Sequence, residues 1–161
     1  MVATVNISAQ EIWKILEQVT DPEVPVLTIT DLGIVRDVKL NCDEVEVVIT
    51  PTYTGCPAVD MIAMNIKLAL IANGYSNIKI TSVLAPAWTT DWMSEDGKRK
   101  LKEYGIAPPY LHSGDTSELV IQCPQCNSSN TKCISEFGST ACKALYQCND
   151  CKEPFDHFKC H

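Results

Sequence analysis

No stretch of this 161-residue sequence approaches the roughly 18 consecutive apolar residues that a membrane-spanning helix needs, and no basic start followed by a long apolar run marks it for export. The expected location is therefore the cytoplasm, with no membrane partner. An excess of positive charge is also missing. The net charge is −7, with 16 acidic and 9 basic side chains in residues 1–119 and 4 of each in residues 120–161. Nucleic-acid binding draws most of its affinity from Lys and Arg neutralising phosphates, so this balance argues against a nucleic-acid partner. There is no Gly-rich phosphate loop and no internal repeat beyond a pair of cysteine hooks. Histidine is scarce: His112, His157 and His161 are the only three, in the expected linker and ribbon and far along the chain from Cys56. No cysteine hydrolase or transferase pair is visible.

Cysteine is plentiful, and seven of the nine lie after position 120. Cys123-Pro124-Gln125-Cys126 and Cys148-Asn149-Asp150-Cys151 are two Cys-x-x-Cys hooks with 21 residues (148 − 126 − 1) between their inner members. A two-residue gap lets one tight turn present two sulfurs to the same ion, and four thiolates suit tetrahedral zinc. Thiol-disulfide exchange is the competing use of such a hook, but that motif usually opens a helix after a strand. An odd cysteine count without an export signal favours reduced thiols over a disulfide framework. Asn127, after the first hook, tolerates the left-handed turn such a motif often needs, whereas Lys152 after the second fits it less well. A segment of about 40 residues buries too little apolar surface to fold unaided, so the metal is expected to supply the missing stability.

The rest of the chain reads as a small α+β domain. Ser8-Ala9-Gln10-Glu11 resembles a capping box, and Ile12, Ile15, Leu16 and Val19 recur at helical spacing up to a stop at Asp21-Pro22. Residues 34–40 and 45–50 are β-rich and flank a turn-like Asn41-Cys42-Asp43-Glu44, predicting an antiparallel hairpin. Pro57 suits the first turn of a second helix, with Cys56 as its N-cap and Gly74 as its stop. A third strand is expected over 77–84, and a last helix over 94–104 that ends at Gly105. The order helix-strand-strand-helix-strand gives a sandwich-like α/β layer rather than a nucleotide-binding sheet. The expected domains are 1–106, a linker over 107–119, and a four-cysteine zinc ribbon over 120–161.

Several residues outside the hooks are candidates for chemistry. Cys56, in Thr54-Gly55-Cys56-Pro57, would sit at a helix N-terminus, where unpaired N–H groups favour thiolate; a small buried apolar residue is the plainer reading. Asp21-Pro22-Glu23 places two carboxylates in a rigid loop, and Asp31 precedes Leu32-Gly33. These carboxylates are either hard oxygen ligands or turn and cap residues. Cys133, Cys142 and Cys160 are expected to pack in cores, Cys142 being the likeliest exception because Phe137-Gly138-Ser139-Thr140 turns the chain just before it. Trp88 and Trp92 read as core aromatics or, if exposed, as a partner anchor.

The string from Asp21 to Gly33, followed by Thr50-Pro51-Thr52-Tyr53-Thr54-Gly55-Cys56-Pro57, resembles the small domain shared by iron–sulfur cluster assembly and transfer factors. Together with Pro86 to Trp92, Phe137 to Tyr146 and Glu153 to Cys160, it is similar along nearly its whole length to the PaaD family of phenylacetate degradation. The resemblance implies an accessory protein, not an enzyme, that matures the multicomponent phenylacetyl-CoA epoxidase, to which electrons arrive through an iron–sulfur reductase. It implies a reactive Cys56, an acidic signature at Asp21 and Glu23, and metal ligands at Cys123, Cys126, Cys148 and Cys151. On this reading the α+β domain holds iron or an iron–sulfur cluster transiently through Cys56. One sulfur per chain cannot hold a cluster, so a homodimer or a ligand-supplying partner is expected. The alternatives are a structural adaptor that docks on the epoxidase through its ribbon and Trp88/Trp92, and a rubredoxin-like carrier with iron in the four-cysteine site.

Overall fold

The structure is a computed structural model, and it describes residues 8–109 and 120–159. Most of the expected linker, His112, Cys160 and His161 lie outside the described residues.

Helix α1 (Ala9–Leu16) begins at the predicted capping box: Ser8 Oγ accepts from Glu11 N–H, and Glu11 reaches back to Ser8 N–H. The helix stops at Leu16, short of Asp21-Pro22. Val19 is nevertheless buried, in the turn beyond it. Strands β1 (Val35–Asn41) and β2 (Glu44–Ile49) form the expected hairpin, with Cys42 taking the positive φ of 55° that its two-residue turn requires.

Helix α2 (Ala58–Ala72) crosses over to β3 (Asn77–Ser82), which pairs parallel to β2, so β2 is the central strand of a three-stranded sheet. Val45, Val47 and Ile49 on one face of β2 pack under Ile12, Leu16, Ile62, Ile66 and Leu70 of α1 and α2. Glu46 and Val48, on the other face, are buried too, the continuous burial expected of a strand paired on both edges. Gly74, at φ 91°, closes α2: its N–H donates to Ile71 O and Tyr75 N–H donates to Leu70 O. The outer face of α2 leaves Met61, Met64, Leu68 and Ile71 exposed at helical spacing.

Helix α3 (Glu95–Tyr104) is clamped onto the loop before β1 through Asp31. Ser94 caps α3 and gives its N–H to Asp31 O (2.8 Å) and its hydroxyl to Asp31 Oδ1 (2.9 Å), while Lys100 Nζ donates to Asp31 Oδ2 (2.8 Å). Burial works to raise the Asp31 carboxyl, but Lys100 and the bonds from Thr28 and Ser94 outweigh it and hold the group below the usual range. Asp31 is thus a clamp between elements and has no free oxygen for a ligand.

Gly33 follows at φ 69°, and a Cβ there would lie 2.4 Å from Trp92 O and 2.7 Å from Trp92 Cβ. Both the backbone conformation and the space exclude a side chain. Gly33→Ala is expected to destabilise the protein by about 2–4 kcal/mol. The check is a fall in the denaturant midpoint at unchanged slope; an unchanged midpoint would contradict the packing described.

Strand β4 (Ile106–Ala107), which straddles the expected junction between first domain and linker, pairs parallel to β7 (Pro154–Phe158). With β6 (Lys143–Cys148) and β5 (Thr131–Ser135) it makes a four-stranded sheet in the order β4-β7-β6-β5. The core of this sheet is small: Ala107, Ile121, Cys123, Cys148 and Phe155. Phe158 and Cys142 belong instead to the large core of the α+β layer, where Phe158 meets the edge of Trp88 with ring centroids 6.1 Å apart. The ribbon is therefore packed onto the first sheet and its helices, at the end where the Asp21 loop lies.

Candidate metal centre and adjoining thiol pocket

Each hook is a tight turn that buries its first cysteine and exposes its second. At the first, Asn127 N–H donates to Cys123 O (2.9 Å) and Cys123 N–H to Ser128 O (2.9 Å), with Asn127 at φ 60° as predicted. At the second, Lys152 also adopts a left-handed φ of 67°, against its own preference, because Cys148 N–H must reach Glu153 O (3.0 Å). The hooks are tied to each other. Asp150 accepts from Ser128 and from Asn130 Nδ2 (2.9 Å), and Asn149 Nδ2 donates to Asn130 Oδ1 (2.9 Å).

All four Sγ atoms lie within 4.8 Å of one another, with Cys123–Cys151 at 3.7 Å and Cys126–Cys148 at 3.6 Å. A tetrahedral ion with metal–sulfur bonds of about 2.3 Å separates its sulfurs by about 3.8 Å, whereas a disulfide needs about 2.05 Å. The four thiols are free and spaced for one metal ion. The donor set fits a ribbon metal, and the exchange reading of the hooks does not fit it.

His157 stands in the same sheet, its Nδ1 3.2 Å from Ala107 O and its ring edge-on to Tyr146. Burial pushes the imidazole down from 6.5 to about 4. Because the folded state prefers the neutral ring, its contribution is complete above pH 6.5 and is lost as pH falls toward about 4. It is worth roughly 3 kcal/mol across that window. His157→Gln is expected to flatten this part of the stability–pH profile in denaturant titrations. Protonation of the metal ligands acts on both proteins alike, so the difference between the profiles belongs to the histidine; parallel profiles would refute the assignment.

Cys56 is buried away from the hooks, immediately before α2. The helix starts one residue later than expected: Pro57, not Cys56, is the cap, and it makes no side-chain capping bond. The Cys56 carbonyl accepts from Val59 N–H (3.3 Å), which leaves the thiol uncommitted to the helix end. Gly55, at φ 80°, makes the turn that delivers it, with nothing within 4 Å of where a Cβ would be. The Tyr53 hydroxyl lies near the thiol, and its ionisation is pushed up to about 12 by burial first and then by Cys56 and Glu23.

Asp21 and Glu23 line a pocket together with Cys56. Asp21 Oδ1 accepts from Glu23 N–H and Val24 N–H, both at 2.8 Å, so one of its oxygens serves as a loop cap. Burial raises the Asp21 carboxyl despite those bonds and the nearby Lys143 ammonium. Glu23 has no such duty and faces the thiol of Cys142, at 3.7 Å.

The structure brings the four ribbon cysteines together and sets Asp21, Glu23 and Cys56 around a separate pocket, whose other lining residues the sequence did not indicate. Cys142 is buried in this pocket, and its thiol is pushed up to about 11 by burial and by Glu23. The turn at 137–140 was the only hint. Cys133 is exposed on β5 rather than packed in a core, because its strand is the sheet edge. Trp88 is buried, with Nε1 donating to Leu32 O (2.7 Å), and Arg36 covers the Trp92 ring at 3.5 Å. No exposed tryptophan pair is presented to a partner. Among the described residues no helix is long and apolar enough to cross a membrane.

Comparison with known proteins matches both halves. Residues 9–77 match the iron–sulfur cluster assembly protein family, and residues 107–159 match the PaaD zinc β-ribbon domain. A solved domain-of-unknown-function structure (DUF59) from Bacillus anthracis has a TM-score of 0.54 at 30% identity, covering 57% of this chain and 89% of that one. A Porphyromonas gingivalis protein named as an Fe–S protein maturation auxiliary factor is 34% identical over 57% of this chain and 89% of its own length. An Escherichia coli K12 protein named as a subunit of 1,2-phenylacetyl-CoA epoxidase is 52% identical over 151 residues, 93% of this chain and 92% of that protein. A match of that depth runs through both sheets and the connection between them, and the chain accordingly belongs to the PaaD family of phenylacetyl-CoA epoxidase subunits.

Proposed function

We propose that this protein is a cytoplasmic, non-catalytic maturation factor that carries iron, or an iron–sulfur unit, to the phenylacetyl-CoA epoxidase system, with the iron–sulfur reductase as recipient. The observation that carries this reading is the pocket that Cys56, Glu23 and Asp21 line together. A soft sulfur beside hard carboxylate oxygens suits ferrous iron held weakly enough to be released. The four-cysteine ion is a separate, permanent one. We assign it as zinc, since zinc has no redox chemistry and four thiolates close its coordination shell, so it builds structure and stays in place.

The names of two relatives, one an epoxidase component and the other an Fe–S maturation factor, agree with this division of labour. The adaptor alternative loses its aromatic docking surface, because Trp88 is 4% exposed and Trp92 lies under Arg36. Elemental analysis of anaerobically purified protein tests the proposal. Zinc near one per chain is expected in both wild type and Cys56→Ala, with iron lost from the variant alone. Iron retained at wild-type level in Cys56→Ala, or lost together with zinc, would contradict it.

A further inference from the structure

A second cavity borders the loop that delivers Cys56. Strand β2, helix α2 and strand β3 form a β-α-β unit with parallel strands, and sheets built from such units take ligands in the crevice beyond the carboxyl ends of their strands. Here Val83 N–H carries the pairing one residue past β3 by donating to Ile49 O (2.9 Å), and Thr50 N–H donates to Ile34 O (2.8 Å). The cavity lies just past those ends, lined by Thr50 after β2 and by Leu84 and Ala87 after β3. It measures about 330 Å³, within the roughly 300–1,000 Å³ of small-ligand sites. Its polar lining is hydroxyl alone: Thr50, Thr52 and Thr54, with Tyr53 beside them and its own hydroxyl near Cys56. Among the described residues, none that lines it carries a charge. Thr50 is 1% exposed, and its Oγ1 finds no hydrogen-bond partner among the described residues. A buried hydroxyl in that state is an exception that calls for a physical reason.

We infer that this cavity is a binding site for an uncharged amide, with the Thr50 hydroxyl as the group that fixes it. The inference goes beyond the carrier role and does not depend on it, since Cys56 lines the thiol pocket and not this one. A hydroxyl both gives and accepts a hydrogen bond, so the three threonines complement a group that carries a donor and an acceptor together. A charged ligand would surrender its hydration to a lining with no opposite charge, and the chain's net charge of −7 adds repulsion against anions. An amide brings one N–H and one C=O without net charge, and its carbonyl accepts from the Thr50 hydroxyl. Its flanking carbons meet Pro51, Leu84 and Ala87, the apolar walls that ligand cavities set around a few polar groups. A partner's main chain and a small free amide present the same chemistry to the threonines. Pro51 and Thr52 line both cavities, so an occupant here touches the loop that holds Cys56.

The test titrates the full zinc-loaded chain with N-methylacetamide and with N-acetylalanine methylamide while the NMR resonances of Thr50, Thr52, Leu84 and Ala87 are followed. Both probes are expected to shift this set saturably. Tighter binding of the longer probe identifies a peptide as the source, and equal binding a free amide; the site stands in either case. Acetate, inorganic phosphate and ethylene glycol at the same concentrations should leave these resonances in place. Thr50→Val keeps the side-chain shape and removes the hydroxyl, so zinc and melting temperature should hold while amide binding weakens by about fivefold, the order of one neutral hydrogen bond. Ala87→Trp fills the exposed mouth of the cavity and should abolish binding with Thr50 intact, which decides the matter even if Thr50→Val fails to fold. Cys56→Ala should bind both probes like wild type. Amides that shift nothing at these residues, equal shifts from acetate, phosphate or ethylene glycol, or wild-type binding by Thr50→Val or Ala87→Trp would overturn the inference. Loss of binding in Cys56→Ala would do the same, by moving the ligand to the thiol pocket. None of these measurements reads iron, so failure of the carrier role leaves their outcome untouched.

Discussion

Removing the metal from the four-cysteine centre is expected to unfold the ribbon and to loosen the α+β layer with it. The small core of the second sheet contains five buried residues, and two of them, Cys123 and Cys148, are ligands. Without the ion, the sheet loses the apparent 10–16 kcal/mol, roughly, that a structural four-ligand zinc contributes, more than so small a core could replace. The damage should not stay local, because Phe158 and Cys142 leave the large core when the ribbon melts. Phe158 is 1% exposed and packs on Trp88, so its loss resembles a large-to-small core substitution costing about 3–5 kcal/mol. Chelation followed by limited proteolysis should produce cleavage within residues 120–159 and a lowered melting temperature for the remaining fragment. An apo protein that melts in one cooperative step at the holo temperature would show that the metal is not structural.

Replacing Cys56 by alanine is expected to reduce anaerobic transfer of iron or cluster to the iron–sulfur reductase by about 100-fold or more, the range reached when even a supporting partner of a metal ligand is removed. The fold should survive, because a buried thiol replaced by a methyl costs only about 1 kcal/mol, and neither a helix cap nor a backbone bond is lost with it. Ribbon zinc, circular dichroism and melting temperature therefore serve as internal controls. Asp21→Asn makes a graded companion. It keeps the oxygen that accepts from Glu23 and Val24 N–H while removing a charge that burial disfavours, so the apo protein should be no less stable even as metal loading weakens. The folded state holds the Asp21 proton more tightly than the unfolded chain does. The charged form therefore costs stability as pH rises past the folded value, and the asparagine variant escapes that cost. Wild-type transfer rates in Cys56→Ala would remove the thiol from the mechanism.

Much of this protein is visible in local sequence because its signals are local. A capping box at Ser8, a helix stop at Gly74, a hairpin turn within Asn41-Cys42-Asp43-Glu44 and two Cys-x-x-Cys hooks each act over a few residues, and each reappears in the structure, the turn tightened to Cys42-Asp43. Local signals fail where a distant partner overrides them. Lys152 takes the left-handed conformation against its preference because the second hook demands it, and the cap of α2 moves from Cys56 to Pro57. Asp31 reads as a turn residue or a ligand until Ser94 and Lys100 are seen to engage both its oxygens.

The chain alone determined the metal centre, since the ligand identities and their spacing are themselves the chemistry, and the short thiol–carboxylate strings at Asp21-Pro22-Glu23 and Gly55-Cys56. Tertiary packing alone decided what those strings belong to. Cys142 is 86 positions (142 − 56) from Cys56 and 119 from Glu23, with neither periodicity nor spacing to connect them. They share a cavity because Phe158 and Cys142 of the ribbon complete an apolar core that α1, α2 and β2 leave open. Burial of that surface is non-directional and leaves no motif behind, so it becomes legible only once the two sheets are in contact.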